Sequence, residues 1–396
     1  MRIWVFLLAL FFSATGLYAQ TPAPVLNYPN NIPAYRIAAS RIAASLDDSA
    51  LAAQVLLTGI EGRVTLSSAM RSLLERVPAG GIMLFRYNLD TSKDDVKKLL
   101  SETVSLVSVK TGIPPFMAVD HEGGLVHRFG EGVGRLPSAY SFWELAQAEG
   151  RPAALASAER LYRVSAEELR GLGITMVLGP VAEILDRDNQ KFLETRSYGP
   201  DPAFTQDASS AYIRSMGAAG IASVIKHFPG NSAADPHTGA SSLRAGKATL
   251  NEMVRPFSGI ISRLSPPALM LSHVIVPALD ERLNASLSSR VINDWLRLEL
   301  GFDGIIIADD FSMAAIAASG LSPTAAAVTA LNAGVDMIMT WPSSLTTMHL
   351  AILDALRSGR LPKSRLLEAA ERIIAEKIRF GLMALPSVPA ASGFGR

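Results

Sequence analysis

Two adjacent carboxylates, Asp309 and Asp310, follow the apolar run Ile305-Ile306-Ile307-Ala308. Successive side chains of a strand point to opposite faces, so a strand here directs Asp309 into a pocket at its end and Asp310 elsewhere. A carboxylate in such a position can act as a nucleophile or as a general acid or base. The same pair could instead cap a following helix, because Asp is a preferred N-cap residue. The local sequence leaves both roles open, and each Asp could serve one of them.

A second set of reactive residues lies between Lys226 and His237. Lys226 and His227 follow another apolar run, and Asp235 and His237 are two positions apart on the loop after Gly230. At that spacing a carboxylate can hold one imidazole nitrogen, which sets the tautomer and raises the basicity of the other nitrogen. A histidine held in this way can act as a general acid and then as a general base near neutral pH. By itself, however, the Asp-x-His pattern also fits a solvated pair on a loop.

A third polar cluster, Asp120, His121 and Glu122, precedes two glycines that allow a tight turn. A carboxylate at the mouth of a pocket is suited to binding paired hydroxyl groups of a sugar. Arg128, eight residues after Asp120, could form an ion pair with it, and Arg196 is a further candidate hydrogen-bond donor. For each arginine, a surface salt bridge is an equally good interpretation of the local sequence.

Several other chemistries lack their sequence signals. The chain has six histidines but no His-x-His or His-Glu-x-x-His pattern, so we expect no dinuclear metal site. A Gly-x-Ser-x-Gly nucleophile elbow is missing, and zero cysteines exclude thiol nucleophiles, disulfides and a lipid-modified N-terminal cysteine. With a net charge of +1 and no basic run, the 396-residue chain has no electrostatic footprint for nucleic acid.

Short apolar runs alternate with segments of helical periodicity along the chain. Such runs are typical of strands that are buried on both faces of a parallel sheet. The sequence predicts seven of them, and an eighth is not identified: Gly81–Phe85, Pro115–Val119, Ile174–Leu178, Ile221–Ile225, Ala268–Leu271, Gly304–Ile307 and Val335–Met339. The predicted helices between them are Asp94–Val109, Ala153–Leu172, Pro202–Ala219, Leu250–Leu264, Ser288–Leu300 and Pro323–Ala333.

Polar residues follow each of the seven runs, and this placement distinguishes between two parallel-sheet folds. A doubly wound sheet concentrates its site at one switch point, whereas a TIM barrel brings many strand ends to one axial pocket. The sequence therefore predicts an α/β fold, a single-domain TIM (β/α)8-type barrel. The strand-end residues are Arg86, Asn88, Asp120, His121, Glu122, Glu183, Asp186, Lys226, His227, His273, Asp309, Asp310, Thr340 and Trp341.

The two ends of the chain differ in composition from its body. Residues 1–19 have a basic residue, an apolar stretch and a small-residue site, which is typical of a Sec-type signal peptide. An N-terminal helix packed on the core and an uncleaved anchor are the alternatives. Residues 20–35 are predicted as a linker, 36–385 as the barrel and 386–396 as a flexible tail. We expect a protein exported to the periplasm or medium, not a lipoprotein, monomeric and without a membrane span in its mature form.

Taken together, these motifs resemble glycoside hydrolase family 3, in its single-domain branch of β-N-acetylglucosaminidases (β-hexosaminidases). The resemblance spans about residues 50–381, in family order, and the combination KHFPG with Asp-x-His is specific to this branch. The motifs that carry it are VDHEGGLVHRF (119–129), VIKHFPG followed by Asp-Pro-His (224–237), ASLSSRVINDWLRLELGFDGIIIADDFSM (285–313) and ALNAGVDMIM (330–339), supported by GGIMLFRYN, GPVAEILD and RSYGPDP.

The resemblance implies a role for each candidate residue. Asp309 matches the nucleophile, and His237, oriented by Asp235, matches the acid/base. Five residues match the family's pocket for the terminal N-acetylglucosamine: Asp120, Arg128, Arg196, Lys226 and His227. The implied reaction is retaining hydrolysis through a covalent glycosyl-enzyme, acting on N-acetylglucosaminides such as peptidoglycan fragments, with no metal or cofactor.

The chain departs from the family pattern at several positions. Leu125 stands where Arg is usual, His121 where Gln is usual and Asn231 where His is usual, and the loop from Gly230 to Asp235 is about two residues shorter. Two other functions are considered on this basis. One is a β-glucosidase, β-xylosidase or glycoside phosphorylase on the same barrel. The other is an exported sugar-binding protein of weak activity.

Overall fold

Eight parallel strands close into a barrel in the computed structural model, which describes residues 33–232 and 239–385. Barrel neighbours follow chain order, and the last strand closes the barrel by pairing with the first. This confirms the predicted TIM-type barrel. Its strands are β1 (Leu56–Gly59), β2 (Gly81–Leu84), β3 (Phe116–Asp120), β4 (Met176–Leu178), β5 (Ala222–Phe228), β7 (Ala268–Leu271), β10 (Ile305–Ala308) and β11 (Met337–Thr340).

Several predicted features lie outside the described residues, wholly or in part. The predicted signal peptide, the predicted tail and the Asp235–His237 pair lie wholly outside them, and the predicted linker lies mostly outside. The first helix begins at Ala34, so the final two residues of the predicted linker are helical. No helix within residues 33–232 and 239–385 combines the length and apolar character that a membrane crossing needs.

The strand that completes the barrel, β1, was not predicted from the sequence. It contains only four residues, Leu56–Gly59, and follows a buried helix after a single residue. All four residues are buried. A short apolar run cannot be distinguished from buried helix by periodicity alone, so only its pairing with β2 and β11 identifies it as a strand.

Strand β5 extends to Phe228, three residues beyond its predicted end, and contains a bulge. It pairs Ile225 with Leu269 and Phe228 with Leu271, so three steps on β5 match two on β7. Bulges re-aim side chains next to functional sites. Here the extra residue lies within the stretch that contains Lys226 and His227, at the carboxyl end of the strand.

Fifteen α-helices, with one 3-10 turn and one π-helical segment, surround the barrel within the described ranges. Side chains of Ser or Asp cap the N-termini of six helices, and two of these helices, α5 and α13, end at glycines in the left-handed conformation, Gly112 and Gly334. The α-helices are α1 (Ala34–Ser45), α2 (Asp48–Gln54), α3 (Ser68–Arg76), α4 (Arg86–Leu89), α5 (Lys93–Thr111), α6 (Ala139–Glu149), α7 (Arg151–Leu172), α8 (Gln190–Leu193), α9 (Pro202–Ala218), α10 (Lys247–Met253), α11 (Arg255–Leu264), α12 (Ala314–Ala317), α13 (Pro323–Ala333), α14 (Pro342–Arg357) and α15 (Lys363–Arg379).

Two predicted helices differ in form from the prediction. The segment predicted as one helix over Leu250–Leu264 is split at Val254, because Pro256 cannot continue a helix from the preceding turn. The segment predicted over Ser288–Leu300 is π-helical from Arg290 to Glu299, after a 3-10 turn at Ala285–Leu287.

A small sheet that the sequence analysis missed lies above the barrel, at the carboxyl ends of β5 and β7. It consists of β6 (Ser241–Ser242), β8 (Val274–Val276) and β9 (Asp280–Asn284), in the order β6-β8-β9. Ser241 also makes a hydrogen bond with Ser232 (Oγ–Oγ, 2.6 Å). This contact joins the chain just before residues 233–238 to the chain just after them. Asp235 and His237 belong to that segment.

At the opposite end of the barrel, Lys377 of α15 is fully buried. Its ammonium donates to Gln54 Oε1 at 2.8 Å and lies 5.5 Å from the ring centroid of Phe116. Burial lowers the pKa of Lys377 from 10.5 to about 7, because no carboxylate compensates for the lost water. The folded chain therefore releases this proton at a lower pH than the unfolded chain does.

We predict that Lys377→Met stabilises the protein at pH 7 and that this advantage shrinks as the pH rises toward 10. Between pH 7 and 10.5 the unfolded chain holds a proton that the folded chain has released, so the stability of the native protein rises with pH. The gain at pH 7 is expected to be on the order of 2 kcal/mol, reduced by the unsatisfied Gln54 side chain. Urea unfolding at both pH values measures it.

The matched control is Lys363→Met, which removes an exposed lysine that pairs with Asp48. We expect its free energy of unfolding to differ from that of the native protein by a small amount that does not depend on pH in this range. A stability difference for Lys377→Met that is the same at pH 7 and pH 10 contradicts the assigned protonation of Lys377.

Candidate active site

The polar residues predicted at strand ends occupy the carboxyl-terminal rim of the barrel. Asp120 ends β3, Lys226 and His227 lie just before the last residue of β5, and Asp309 directly follows β10. Because all eight strands are parallel, these positions share one rim although they lie far apart in sequence. Arg128 and Arg196 come from the loops that follow β3 and β4.

Five side chains of alternating charge form a continuous chain across this rim, which we call the charge chain. Lys226 Nζ lies 2.8 Å from Asp120 Oδ1 and 2.7 Å from Glu122 Oε1. Arg196 binds Glu122 through two hydrogen bonds of 2.7 and 2.9 Å, and Arg128 Nη2 lies 3.3 Å from Asp120 Oδ2. Four of the five residues were predicted to bind substrate. Glu122 was noted at a strand end, but the sequence gave no reason to place it between two cations.

The charge chain keeps its two carboxyl groups and Lys226 ionised at neutral pH. Burial alone would raise the pKa of Glu122, but Lys226 and Arg196 outweigh burial and hold the pKa well below its usual range. Burial acts in the same direction on Asp120, whose pKa is nevertheless lowered, by Lys226 and then by Arg128. For Lys226, burial acts to lower the pKa, whereas Asp120 and Glu122 raise it.

His227 is held by Glu183, a buried carboxylate in the loop after β4. His227 Nδ1 lies 2.6 Å from Glu183 Oε1. The backbone N–H of Asn231 donates to Glu183 Oε2 at 2.6 Å, and the Asn231 side-chain amide donates to the same carboxylate. Glu183 therefore orients the imidazole and secures the start of the loop that leads to His237. From the sequence, Glu183 was identified only as a strand-end residue.

The structure assigns different contacts to Asp309 and Asp310. The Asp310 side chain accepts hydrogen bonds from Ser312 N, Ser312 Oγ and Trp341 Nε1, each at 2.8 Å. Its role is thus to organise the loop after β10. Asp309 is partly exposed, and its Oδ1 accepts the Asp310 N–H at 2.9 Å. The helix-cap alternative is wrong for α12, whose N-cap residue is Met313.

Other strand-end residues serve to fix loops. Asn88 is buried and donates to two backbone carbonyls, those of Ile60 and Gly62. His273 bridges Ser286 Oγ and the carbonyl of Asp310. His121 points to Ser165 of α7, and burial together with His127 lowers the pKa of His121 from 6.5 to about 3. It is therefore a neutral packing residue.

The sequence matches the Glycosyl hydrolase family 3 N terminal domain over residues 52–375, most of the chain and nearly all of the barrel. The chain belongs to glycosyl hydrolase family 3. The predicted family, and its enzyme class of glycoside hydrolase, are thereby confirmed. Helix α1 precedes the matched residues and packs against α15, the last helix of the barrel.

The named relatives of this family 3 chain include β-hexosaminidases and β-N-acetylglucosaminidases. A protein of Methylococcus capsulatus named Beta-hexosaminidase is 35% identical over 299 residues, which cover 74% of this chain and 84% of the relative. A family 3 beta-N-acetylglucosaminidase from Paenibacillus sp. str. FPU-7 has a TM-score of 0.79 at 30% identity, over 88% of this chain. The chain spans 65% of the length of that structure.

A third relative has been solved with a sugar bound. NagZ from Neisseria gonorrhoeae, in complex with N-trifluoroacetyl-D-glucosamine, has a TM-score of 0.67 at 28% identity. The match covers 81% of this chain and 89% of that one. All three relatives therefore have descriptions that name a hexosaminidase, an N-acetylglucosaminidase or a bound glucosamine derivative, and the two solved structures share the fold of this chain.

The candidate site residues fall into two groups. Asp120, Lys226, His227 and Asp309 lie at strand ends, with Glu122, Arg128 and Arg196 on the loops that follow β3 and β4. Asp235 and His237 fall in residues 233–238, outside the described ranges. In residues 33–232 and 239–385, no group of three or more His, Asp or Glu side chains is arranged to hold a metal ion.

We predict that Lys226→Met destabilises the protein by about 3–5 kcal/mol at pH 7, because it leaves Asp120 and Glu122 buried beside each other without their shared cation. The folded pKa values of both carboxyls are lowered, so their stabilising effect is present above about pH 4 and is lost as the pH falls through those folded values. Urea unfolding of the native protein and the variant at pH 7 and pH 3 measures both effects.

The same exposed-lysine variant, Lys363→Met, serves as the control for this change and should cost less than about 1 kcal/mol. The cost of Lys226→Met should also be smaller at pH 3 than at pH 7. If the two lysine variants are equally stable at pH 7, the charge chain does not hold the rim together as described.

Proposed function

We propose that this chain is a retaining exo-β-N-acetylglucosaminidase that removes terminal β-linked N-acetylglucosamine. The observation that carries the proposal is the shared rim of a family 3 barrel, where a partly exposed carboxylate, Asp309, faces the same mouth as the charge chain and His227. The β-hexosaminidase relatives support the choice of sugar.

Asp309 is proposed as the nucleophile. Among the described residues, its carboxylate accepts one hydrogen bond, from Asp310 N to Oδ1, which leaves Oδ2 for the anomeric carbon. Attack forms a glycosyl ester at Asp309 and breaks the bond to the leaving oxygen. Water then cleaves the ester, and two inversions give net retention.

His237 is proposed as the acid and base, oriented by Asp235. In the first step it donates a proton to the leaving oxygen, and in the second it removes a proton from the attacking water. An imidazole suits this cycle near neutral pH, because both of its protonation states are populated there. The loop that carries it starts beside Glu183, through the hydrogen bonds of Asn231.

The charge chain is proposed to hold the hydroxyl groups of the terminal sugar. Arg128, Arg196 and Asp120 are its partly exposed members, with 33%, 19% and 17% of their side chains accessible, whereas Lys226 and Glu122 are almost fully buried. Asp120 can accept from sugar hydroxyls while Arg128 donates to them. Lys226 then acts on the sugar chiefly by keeping Asp120 ionised and in place.

Peptidoglycan fragments are the natural substrate that we propose, and export is the proposed route to them. The basis for export is the signal-like composition of residues 1–19. An exported hydrolase would meet such fragments outside the cytoplasm. Kinetics on a disaccharide muropeptide beside a chitin disaccharide would decide between the two classes of substrate.

We predict that Asp309→Ala lowers kcat on p-nitrophenyl N-acetyl-β-glucosaminide by about 10³-fold or more, because no covalent intermediate can form. Release of p-nitrophenol measures it. The control is Asp354→Ala, which removes an exposed carboxylate of α14 and should keep native turnover. Native turnover in Asp309→Ala would rule out this residue as nucleophile.

For His237→Ala we predict a loss that depends on the leaving group. A sugar leaving group needs a proton, so kcat on a chitin disaccharide should fall by about 10²–10⁴-fold. A p-nitrophenolate leaves without one, so the first step on that substrate should be much less affected. Equal losses on the two substrates would argue against His237 as the acid.

A further inference from the structure

Three aromatic rings form a continuous stack on the rim, which we call the aromatic platform: Trp341, Phe85 and Tyr87. The centroids of Trp341 and Phe85 lie 4.9 Å apart with planes 17° from parallel. Phe85 and Tyr87 follow at 5.9 Å and 10°. Phe85 is thus the middle ring, while Trp341 and Tyr87 at the two ends are 37% and 45% exposed.

The platform lies over the end of β1 because that strand ends in a glycine. A Cβ atom at Gly59 would lie 3.2 Å from Phe85 Cε2 and 3.5 Å from Pro342 Cδ. Phe85 follows β2 and Trp341 follows β11, the two neighbours of β1 in the barrel. The missing side chain at Gly59 leaves room for the Phe85 ring, which stacks on Trp341.

The platform is held rigidly in place. Tyr87 Oη donates to the carbonyl of Ile60 at 2.8 Å, so its ring is anchored at its polar end. The Phe85 N–H donates to Asn88 Oδ1 at 3.0 Å, and Asn88 in turn donates to the loop after β1. Rings that are already ordered lose little conformational entropy when a ligand packs on them.

Two hydrogen bonds connect the platform to the proposed nucleophile. Trp341 Nε1 donates to Asp310 Oδ2 at 2.8 Å, and Asp310 N donates to Asp309 Oδ1 at 2.9 Å. In barrel order, the platform occupies the ends of β11, β1 and β2, beside β10 with Asp309. The charge chain and His227 occupy the ends of β3 to β5 instead.

The rim therefore offers two surfaces of opposite chemistry on either side of the nucleophile. Charged groups bind hydroxyls. An exposed aromatic face carries partial negative charge and attracts the partially positive C–H hydrogens of a sugar. We propose that the aromatic platform receives the ring of the leaving sugar, with Trp341 as its main contact. This proposal rests on the glycosidase function proposed above and adds the chemical class of the aglycone.

The aglycone class that fits is a gluco-configured pyranose, such as an N-acetylhexosamine. Its substituents are equatorial, so each side of the ring presents a flat set of axial C–H groups to an aromatic face. A small alkyl aglycone presents no such face and would gain nothing from the platform. Selectivity between the two kinds of aglycone is the measurable consequence.

The test compares N,N′-diacetylchitobiose, whose aglycone is a sugar, with methyl N-acetyl-β-glucosaminide, whose aglycone has no ring. We expect Trp341→Ala to lower kcat/KM for the disaccharide by about tenfold, as for loss of one aromatic stacking partner. For the methyl glycoside we expect a clearly smaller loss of kcat/KM, because it has no ring to stack, whereas loss of the hydrogen bond to Asp310 acts on both substrates alike. Release of N-acetylglucosamine measures both.

Two further variants separate stacking from other effects. Trp341→Phe keeps a ring but lacks the N–H that binds Asp310, so it should recover most of the disaccharide activity. Leu350→Ala removes an exposed apolar side chain from α14, away from the rim, and should leave both substrates unchanged. Equal losses on both substrates in Trp341→Ala, or no loss on either, overturn the proposal.

Failure of the glycosidase function gives a different result. In that case the native protein hydrolyses neither substrate, and calorimetric binding of N,N′-diacetylchitobiose then tests the platform alone. Binding that weakens about tenfold in Trp341→Ala supports the platform while the hydrolase function is lost. Absence of binding to the native protein overturns both proposals.

Discussion

The buried ammonium of Lys226 is the interaction on which the candidate site depends. Removing an ammonium and two carboxylates from water costs several kcal/mol per ion, and mutual attraction offsets this only when the geometry is close. Lys226 meets that condition, because it contacts Asp120 at 2.8 Å and Glu122 at 2.7 Å. The requirement ties β5 to β3 across β4. It also determines where Arg196 and Arg128 lie, since each must pair with one of the same carboxylates.

The bulge in β5 and the loop after it follow from the same constraint. The bulge falls in the stretch that directs Lys226 toward the charge chain and His227 toward Glu183. Glu183 also accepts hydrogen bonds from the backbone and side-chain amides of Asn231. An amide at this position donates to a carboxylate without carrying a charge that depends on pH. Glu183 therefore secures the start of the loop that leads to His237.

Opposite ends of the barrel show why buried charge has different consequences in different settings. At the rim, each buried cation has carboxylate partners, and the pKa of Lys226 is raised. At the other end, Lys377 has only an amide oxygen and a ring, and burial lowers its pKa to about 7. The rim thus keeps fixed charges that can bind a polar substrate, while the base of the barrel holds a lysine that is easily neutralised.

Periodicity and apolar runs in the sequence were sufficient to predict seven strands, the barrel and the set of strand-end residues. They were not sufficient for β1, for the small sheet of β6, β8 and β9, or for the helix break before Pro256. Short strands have too few residues to show a period, and their identity depends on pairing with distant segments. The family resemblance supplied expected roles for Asp309, His237 and the sugar pocket, which no local pattern could have distinguished from loop or surface roles.

What the sequence by itself determined is which residues stand at strand ends, because alternation and burial are local properties of the chain. Only the tertiary structure decided how those residues are partnered. It placed Glu122 between Lys226 and Arg196. It bound the Asp310 side chain within the loop after β10 and left Asp309 partly exposed. It also stacked Phe85 on Trp341, next to Gly59. The physical reason is barrel closure, which brings the ends of strands that are distant in sequence within hydrogen-bonding and packing distance of one another.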